Sequence, residues 1–258
     1  MWLDPSDKKY WDHSFHELGT LDLPAMIDYI TDKTAIAKLT YIGHSQGTTQ
    51  LFAAMTIMPD YFASKLNGFI ALAPVVRQTS VPGVVLGDAA SLYVDSALNY
   101  IGVNQILAFS PFNLKVDGFT CGKLTFLCLG LLRMVSDSNT DAVDKKRMQV
   151  FMAHYPTGSS LKSLRHIAIN VRAKTFQQFD YGKQENLIRY KSELPPEYNL
   201  FKIKNKICLL AGESDLMVDF NDSLWLKNRL MDIGQILVKF QSYKEYGHSG
   251  YAIAKDAA

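Results

Sequence analysis

Residues 39–47 read LTYIGHSQG, a Gly-x-Ser-x-Gly pattern between an apolar run and a helical one. The run at 39–42 predicts a short buried strand, and the run that ends before Pro59 predicts a helix. A serine at such a strand-to-helix turn presents its hydroxyl above the sheet, and the glycines allow the sharp turn and close helix packing. Ser45 is therefore the predicted nucleophile, and the backbone N–H of Gln46 is the predicted oxyanion donor.

A serine hydroxyl needs a base, and His248 is the predicted base because it lies in the glycine-flanked loop YGHSG after the last predicted strand. The other histidines fit less well. His13 and His16 precede Ser45, and strand alternation should point His44 away from it. His154 and His166 fall in the helical middle of the chain.

The base in turn needs an orienting acid, and Asp215 is the predicted one. Asp215 follows an apolar run at 207–211, so its carboxylate would stand at the carboxyl end of a strand, within reach of a histidine in the next loop. Glu213 and Asp219 are the alternatives. We expect Glu213 to face solvent and Asp219 to start the following helix.

The remaining pattern predicts an α/β fold. Apolar runs at 69–73, 207–211 and 236–240 alternate with helical patterns, which is typical of a mostly parallel sheet covered by helices on both faces. One of these helices is expected to begin at Asp22 as its cap, with Pro24 in the first turn.

The middle of the chain does not follow this alternation. It is mostly helical in pattern and too long for a loop, so we expect an inserted cap over the carboxyl ends of the strands. The predicted division is a core part at 1–79, a helical cap or lid at 80–203 and a second core part at 204–258.

Composition limits the partners. The 258 residues carry 27 basic and 25 acidic side chains, a net charge of +2, and no basic run interleaved with aromatic residues, so no nucleic-acid partner is predicted. No metal-ligand spacing and no phosphate-binding loop are present, so no cofactor and no metal are expected. The longest apolar run, at 124–132, is too short for a transmembrane segment, which needs about 20 residues.

The three cysteines do not make a disulfide framework. Cys208 lies in an apolar run and is expected in the core, whereas pairing of Cys121 with Cys128 stays open. The first residues show no basic stretch followed by an apolar one, so no signal peptide is visible and the compartment is not predicted from the residues themselves.

With these residues placed, the chain resembles the acid lipase family, the gastric and lysosomal lipases that hydrolyse triacylglycerols and cholesteryl esters. The resemblance runs over nearly the whole chain, and its most specific stretches are residues 10–18, 22–30, 41–49, 71–75, 153–160 and 176–182. It implies an α/β-hydrolase fold, with the family's acid at Asp215 and its histidine at His248. It also implies a lid over an apolar acyl pocket, to which the apolar stretches at 84–112 and 119–135 would contribute, and a secreted or lysosomal location.

The sequence departs from the family at its beginning. Family members have several further strands upstream, and a His-Gly segment whose following N–H completes the oxyanion hole. We therefore expect an unpaired apolar sheet edge, an oxyanion site with Gln46 as its one donor, and a truncated product or incomplete gene model of a longer lipase.

The predicted function is hydrolysis of lipid esters, triacylglycerol or steryl ester, through a Ser-His-Asp acyl-enzyme mechanism. A short-chain esterase or thioesterase is the alternative within that class. The alternative from another class is an inactive, truncated lipase-like protein with a lipid-binding or interaction role.

Overall fold

Four parallel strands form the main sheet of this protein. The computed structural model describes residues 3–107, 119–155, 157–234 and 236–257. The strands in chain order are β1 (Leu39–His44), β2 (Leu66–Leu72), β3 (Gln105–Ile106), β4 (Ser159–Ser160), β5 (Ile207–Gly212) and β6 (Leu237–Tyr243). The main sheet has the order β1-β2-β5-β6, and β3 pairs with β4 in a separate antiparallel pair.

Helices flank these strands. They are α1 (Phe15–Glu17), α2 (Leu23–Thr34), α3 (Gln46–Ile57), α4 (Pro59–Lys65), α5 (Val84–Ser91), α6 (Val94–Tyr100), α7 (Thr125–Val135), α8 (Lys145–Met152), α9 (Leu161–Ala173), α10 (Lys183–Tyr190), α11 (Phe220–Asp232) and α12 (Gly250–Ile253). Single helical turns add Lys8–Trp11, Leu18–Asp22 and Leu200–Lys202. The predicted α/β class with a parallel sheet is confirmed.

The first long helix, α2, begins at Leu23 with Pro24 in its first turn, as predicted, but without the predicted cap. Asp22 is itself helical and its side chain caps nothing, because a π-helical turn, Leu18–Asp22, joins α1 to α2. Ser14 is the cap instead: its hydroxyl accepts from the N–H of His16, and its own N–H donates to the Glu17 carboxylate at 2.7 Å. Only the capping role predicted for the Asp22 side chain was wrong, because a π turn has no sequence period that marks it.

The core lies between the sheet and α3. Five consecutive residues of that helix, at positions 51–55, are completely buried, and so is Leu209 of β5. A helix buried on all sides fits the sequence, which is apolar around most of α3. Since α3 begins directly after Ser45, this packing fixes the position of the predicted nucleophile.

The chain between β2 and β5 carries α5 to α10 and a smaller core of its own. Cys121, Cys128, Leu132 and Met148 are buried there, together with Ile253 of α12. Cys121 and Cys128 form a disulfide with their Cα atoms 5.5 Å apart, which answers the pairing that the sequence left open. Cys208 is a free thiol and half-buried in β5. Residues 108–112 of the predicted apolar stretch at 84–112 lie outside the described residues.

One edge of the main sheet exposes an apolar side chain. Within the described ranges β1 ends the sheet, and Ile42 on that strand is 63% exposed. None of the helices that the structure describes combines the length and the hydropathy needed to traverse a bilayer.

Candidate active site

The backbone of Ser45 is strained in the way a sharp strand-to-helix turn requires. Its φ of 54° and ψ of −124° lie where side chains are disfavoured. Hydrogen bonds on both sides hold it there: the Ser45 N–H donates to the Leu72 carbonyl at 3.1 Å, and the Thr48 hydroxyl donates to the Ser45 carbonyl at 2.7 Å. The Thr48 hydroxyl also accepts from the N–H of Val75 at 2.9 Å, which ties the turn to the loop after β2.

Of the two glycines in the pattern, Gly43 is the one that close packing requires. A Cβ atom at Gly43 would lie 2.8 Å from the Gly47 carbonyl oxygen and 2.8 Å from Cε1 of Tyr41. A Cβ atom at Gly47 would meet only the Tyr41 hydroxyl, at an ordinary 3.7 Å. The approach of α3 to β1 therefore depends on Gly43.

The structure brings Ser45, His248 and Asp215 together. His248 Nε2 lies 2.6 Å from Ser45 Oγ, and His248 Nδ1 lies 2.8 Å from Asp215 Oδ2. The other carboxylate oxygen of Asp215 accepts from the N–H groups of Met217 and Val218 at 2.7 and 2.9 Å. Since His248 is 5% and Asp215 7% exposed, the pair is shielded from water and its geometry is fixed by the backbone.

The placement follows from the sheet. Ser45 follows β1, Asp215 follows β5 and His248 follows β6, and the carboxyl ends of parallel strands meet at one edge. The alternative acids lie elsewhere: Asp219 caps α11 by accepting from the Asn221 N–H at 2.9 Å, and Glu213 is exposed.

The other histidines make different contacts. His13, His16 and His154 bond to Tyr10, Tyr198 and Val150 in turn, and His166 is fully buried between Ser14 and Gln177. His44 is close to the site in a way that sequence reasoning missed: its Nε2 lies 2.7 Å from the carbonyl oxygen of His248. Strand alternation gives the direction of a side chain but not the loop that it meets, so no sequence signal marked this contact.

Gln46 occupies the first position of α3, where a helix has no acceptor of its own for the backbone N–H. Its side-chain oxygen accepts from the Ser163 hydroxyl of α9 at 3.1 Å. The oxyanion role predicted for its backbone N–H stays a prediction.

A cavity of about 180 Å³ opens beside Ser45 and His248. Its walls are mainly apolar side chains: Val75, Val81, Ala89, Ala90, Val94, Leu164, Ile167, Ala168, Val171 and Met217. Among the described lining residues the one carboxylate is Asp95, which is 3% exposed and forms a two-pronged ion pair with Arg172, at 2.8 and 3.2 Å. With that charge neutralised, the cavity suits an apolar chain held next to the serine hydroxyl.

Among the residues that the structure describes, no group of three or more His, Cys, Asp or Glu side chains is arranged to hold a metal ion. The site brings a hydroxyl, an imidazole and a carboxylate into one hydrogen-bonded chain.

Comparison with known proteins gives a consistent family. The model of the alpha/beta hydrolase fold family matches residues 4–253. Lipase 1 of Drosophila melanogaster is 30% identical over 255 residues, covering 98% of this chain and 56% of that protein. Gastric triacylglycerol lipase of Bos taurus is 30% identical, covering 100% of this chain and 64% of that protein.

Lysosomal acid lipase/cholesteryl ester hydrolase of Rattus norvegicus is also 30% identical, covering 99% of this chain and 64% of that protein. The predicted resemblance to gastric and lysosomal lipases is confirmed. The chain spans between 56% and 64% of the length of these three relatives.

Proposed function

The chain belongs to the α/β-hydrolase fold family, and from this premise we propose that it hydrolyses carboxylic esters of lipids, with Ser45 as nucleophile, His248 as base and Asp215 as the orienting acid. The observation that carries the proposal is the continuous hydrogen-bonded chain from Ser45 Oγ through the His248 ring to Asp215. Ser45 and His248 also line an apolar cavity.

The proposed reaction has two halves, formation and hydrolysis of an acyl-enzyme, and His248 transfers the proton in both. His248 Nε2 takes the Ser45 hydroxyl proton as Oγ attacks the ester carbonyl, and the imidazolium then gives that proton to the leaving alcohol. Asp215 holds Nδ1–H and stabilises the imidazolium. Water, activated by the same ring, cleaves the acyl-enzyme and releases the acid. The N–H of Gln46, at the positive end of α3, stabilises the tetrahedral oxyanion.

The character of the cavity supports a lipid as the acyl donor. Each methylene group buried against apolar walls contributes roughly 0.8 kcal/mol, whereas a polar acyl group would be desolvated there without partners. The named relatives include a triacylglycerol lipase and a cholesteryl ester hydrolase, so a glyceride or steryl ester is the proposed substrate class.

We further propose that residues 80–203 act as a cap, with core parts at 1–79 and 204–258. Cavity walls from α5, α6 and α9 support this, because they stand over a serine that the sheet supplies. The family resemblance favours a secreted or lysosomal protein, and the Cys121–Cys128 disulfide is what an oxidising compartment would preserve.

The first test is labelling by a fluorophosphonate, which reacts only with an activated serine. We expect Ser45 to be labelled in the 258-residue chain and not in Ser45→Ala. The purified chain should also hydrolyse p-nitrophenyl esters, and rates over a series of acyl lengths would separate a lipase from a short-chain esterase. A folded chain with unlabelled Ser45 and no turnover would contradict the proposal and favour the non-catalytic lipid-binding alternative.

A further inference from the structure

A second buried carboxylate lies behind the histidine loop. Asp137 is 1% exposed and follows α7, outside every part of the chain that the proposed mechanism uses. It sits directly across an antiparallel bridge from Asp215. Backbone hydrogen bonds on both sides fix this pairing: the Ser138 N–H donates to the Ser214 carbonyl, and the Leu216 N–H to the Ser136 carbonyl, both at 3.0 Å.

The contacts of Asp137 and its neighbour Ser136 converge on the backbone around His248. The Asp137 carboxylate accepts from the Ser249 N–H at 3.2 and 3.3 Å and from the Ser136 hydroxyl. The Ser136 hydroxyl also lies 2.6 Å from the Ser249 hydroxyl, and the Ser136 carbonyl accepts from the His248 N–H at 3.2 Å. Two consecutive N–H groups of the histidine loop are thus held by residues 136 and 137.

Gly247 makes room for this carboxylate. A Cβ atom at Gly247 would lie 2.2 Å from Asp137 Oδ1 and 2.5 Å from the Asp137 Cβ. The residue before His248 therefore has no side chain at the point where the carboxylate approaches the loop. This is a fitted contact, since any larger residue at position 247 would displace either the carboxylate or the loop.

The surroundings of Asp137 offer hydrogen bonds but little positive charge to balance its carboxylate. Burial raises the pKa of Asp137, and hydrogen bonds from Ser136 and Ser249 and the proximity of His248 partly offset that effect. Within the described ranges, no Lys or Arg forms an ion pair with it. The positive charge best placed to compensate it is the one that His248 acquires when it takes a proton.

We propose that Asp137 is a positioning residue for His248: it fixes the histidine loop through the Ser249 N–H, and its negative charge favours the imidazolium that forms during proton transfer. The inference rests on the proposed function. It also places part of the machinery that orients the base on the segment between β2 and β5, far in sequence from both Asp215 and His248.

The test compares Asp137→Asn with wild type in the complete 258-residue chain. Asparagine keeps the shape and the acceptor for Ser249 but removes the charge. We expect kcat for p-nitrophenyl butyrate to fall about 10-fold with KM unchanged, because Asp137 does not line the cavity. The acidic limb of the pH–rate profile should move down by roughly 0.5 to 1 pH unit, because an imidazolium that lacks a nearby negative charge forms less readily.

Two further variants control the experiment. Gly247→Ala leaves the carboxylate charged but displaces either it or the histidine loop, so kcat should fall here too, through position and not through charge. Asp222→Asn removes another buried carboxylate, one that is paired with Arg77 at 3.1 Å and is 3% exposed. It should cost stability while leaving the pH–rate profile in place.

NMR titration of the His248 ring separates this inference from the proposed function, because it needs no turnover. A lower midpoint pH in Asp137→Asn supports the inference even if the wild-type chain fails to hydrolyse esters, which would contradict only the proposed function. An active wild type with unchanged kcat, pH profile and ring titration in the folded variant would overturn the inference and leave the proposed function standing.

Discussion

At the scale of single residues, the site depends on conformations that its surroundings enforce. Ser45 has a positive φ of 54°, which costs a side-chain-bearing residue on the order of 1–3 kcal/mol. The hydrogen bonds to Leu72 and Thr48 on either side of Ser45 oppose that cost. The strain is useful, because an unstrained turn would carry the hydroxyl away from His248.

Asp215→Asn tests which carboxylate orients the base. The asparagine amide presents either a donor or a poorer acceptor to Nδ1, so we expect kcat to fall by about 10⁴-fold with KM little changed. Asp219→Asn is the matched control. Asp219 accepts from the Asn221 N–H and the Ser80 hydroxyl, so its loss should cost at most about 1 kcal/mol of stability and no activity. Steady-state kinetics on both variants would decide, and equal losses of kcat would contradict the assignment of Asp215.

Gly43→Ala and Gly47→Ala should separate the two glycines of the pattern. The added methyl group at Gly43 would lie 2.8 Å from backbone atoms that cannot move without shifting α3. We expect a loss of about 2–3 kcal/mol in the free energy of unfolding. At Gly47 the methyl group meets only the Tyr41 hydroxyl, at an ordinary 3.7 Å, on a helical backbone, so the change should be neutral or stabilising by up to about 1 kcal/mol. Urea unfolding measures both, and equal destabilisation would show that the approach of α3 is limited elsewhere.

At the scale of elements, hydrophobic runs were a good guide and local capping was not. The runs at 39–42 and 207–211 became β1 and β5 with small extensions. In β5 the continuous apolar signature fits a strand that is buried or half-buried along its whole length. The helix α2 begins at Leu23 as expected, but the side-chain cap belongs to Ser14 at the start of α1, with a capping box to Glu17, and not to Asp22. That box is readable in the sequence, but the π turn after it shifts the helical period and hides the continuity.

The helix α9 also contributes a buried histidine whose protonation should oppose folding. Burial lowers the pKa of His166 to about 4, against an ordinary value of 6.5. The unfolded chain then binds the proton more readily, so stability falls as the pH drops through this window. Between pH 7 and pH 5 the loss from His166 is about 2 kcal/mol. Burial raises the pKa of Glu17, but hydrogen bonds from Ser14 outweigh this effect and lower the pKa to about 2. The pH dependence of stability that Glu17 adds therefore falls mainly below the range in which His166 acts.

His166→Gln should therefore flatten the pH dependence of stability. The amide can still bond to Ser14 and to the Gln177 carbonyl, so we expect a loss of about 1 kcal/mol at pH 7. At pH 5 the wild type has lost about 2 kcal/mol through His166, so the deficit should reverse and leave the variant more stable than wild type by about 1 kcal/mol. Urea unfolding at both pH values gives the two differences. A deficit that is the same at pH 5 would show that His166 titrates normally in the folded protein.

At the scale of the whole molecule, the sequence located the three candidate site residues but not what surrounds them. The order of Ser45, Asp215 and His248 relative to predicted strands was enough, since parallel strands deliver their loops to one edge. The contacts of His44 and Asp137 with the histidine loop escaped it, because each joins segments that are more than 100 residues apart. The Asp137 contact depends on how the segment between β2 and β5 packs, and the His44 contact on how the loop after β6 lies against the end of β1. No local pattern records either.

The surface of the same segment carries an apolar stripe. On α7 the buried side is formed by Cys128 and Leu132, each 8% exposed. A neighbouring side of the helix exposes Leu127, Leu131 and Met134, at helical spacing and with exposures of 50% to 58%. The exposed apolar side chains of α7 remain in contact with water, which is unfavourable, and contact with a lipid surface would remove that unfavourable exposure.

Leu127→Gln combined with Leu131→Gln tests whether this stripe meets the lipid–water interface. Removing two apolar side chains from an interfacial contact weakens it by about 2 kcal/mol, so hydrolysis of an emulsified or vesicle-bound ester should fall at least about 10-fold. Hydrolysis of dissolved p-nitrophenyl acetate should not change, because neither residue lines the cavity. Met231→Gln, on the similarly exposed end of α11, is the control and should leave both activities intact. Equal losses on the two substrates would instead mean that α7 supports the site itself, and the stripe would then have no interfacial role.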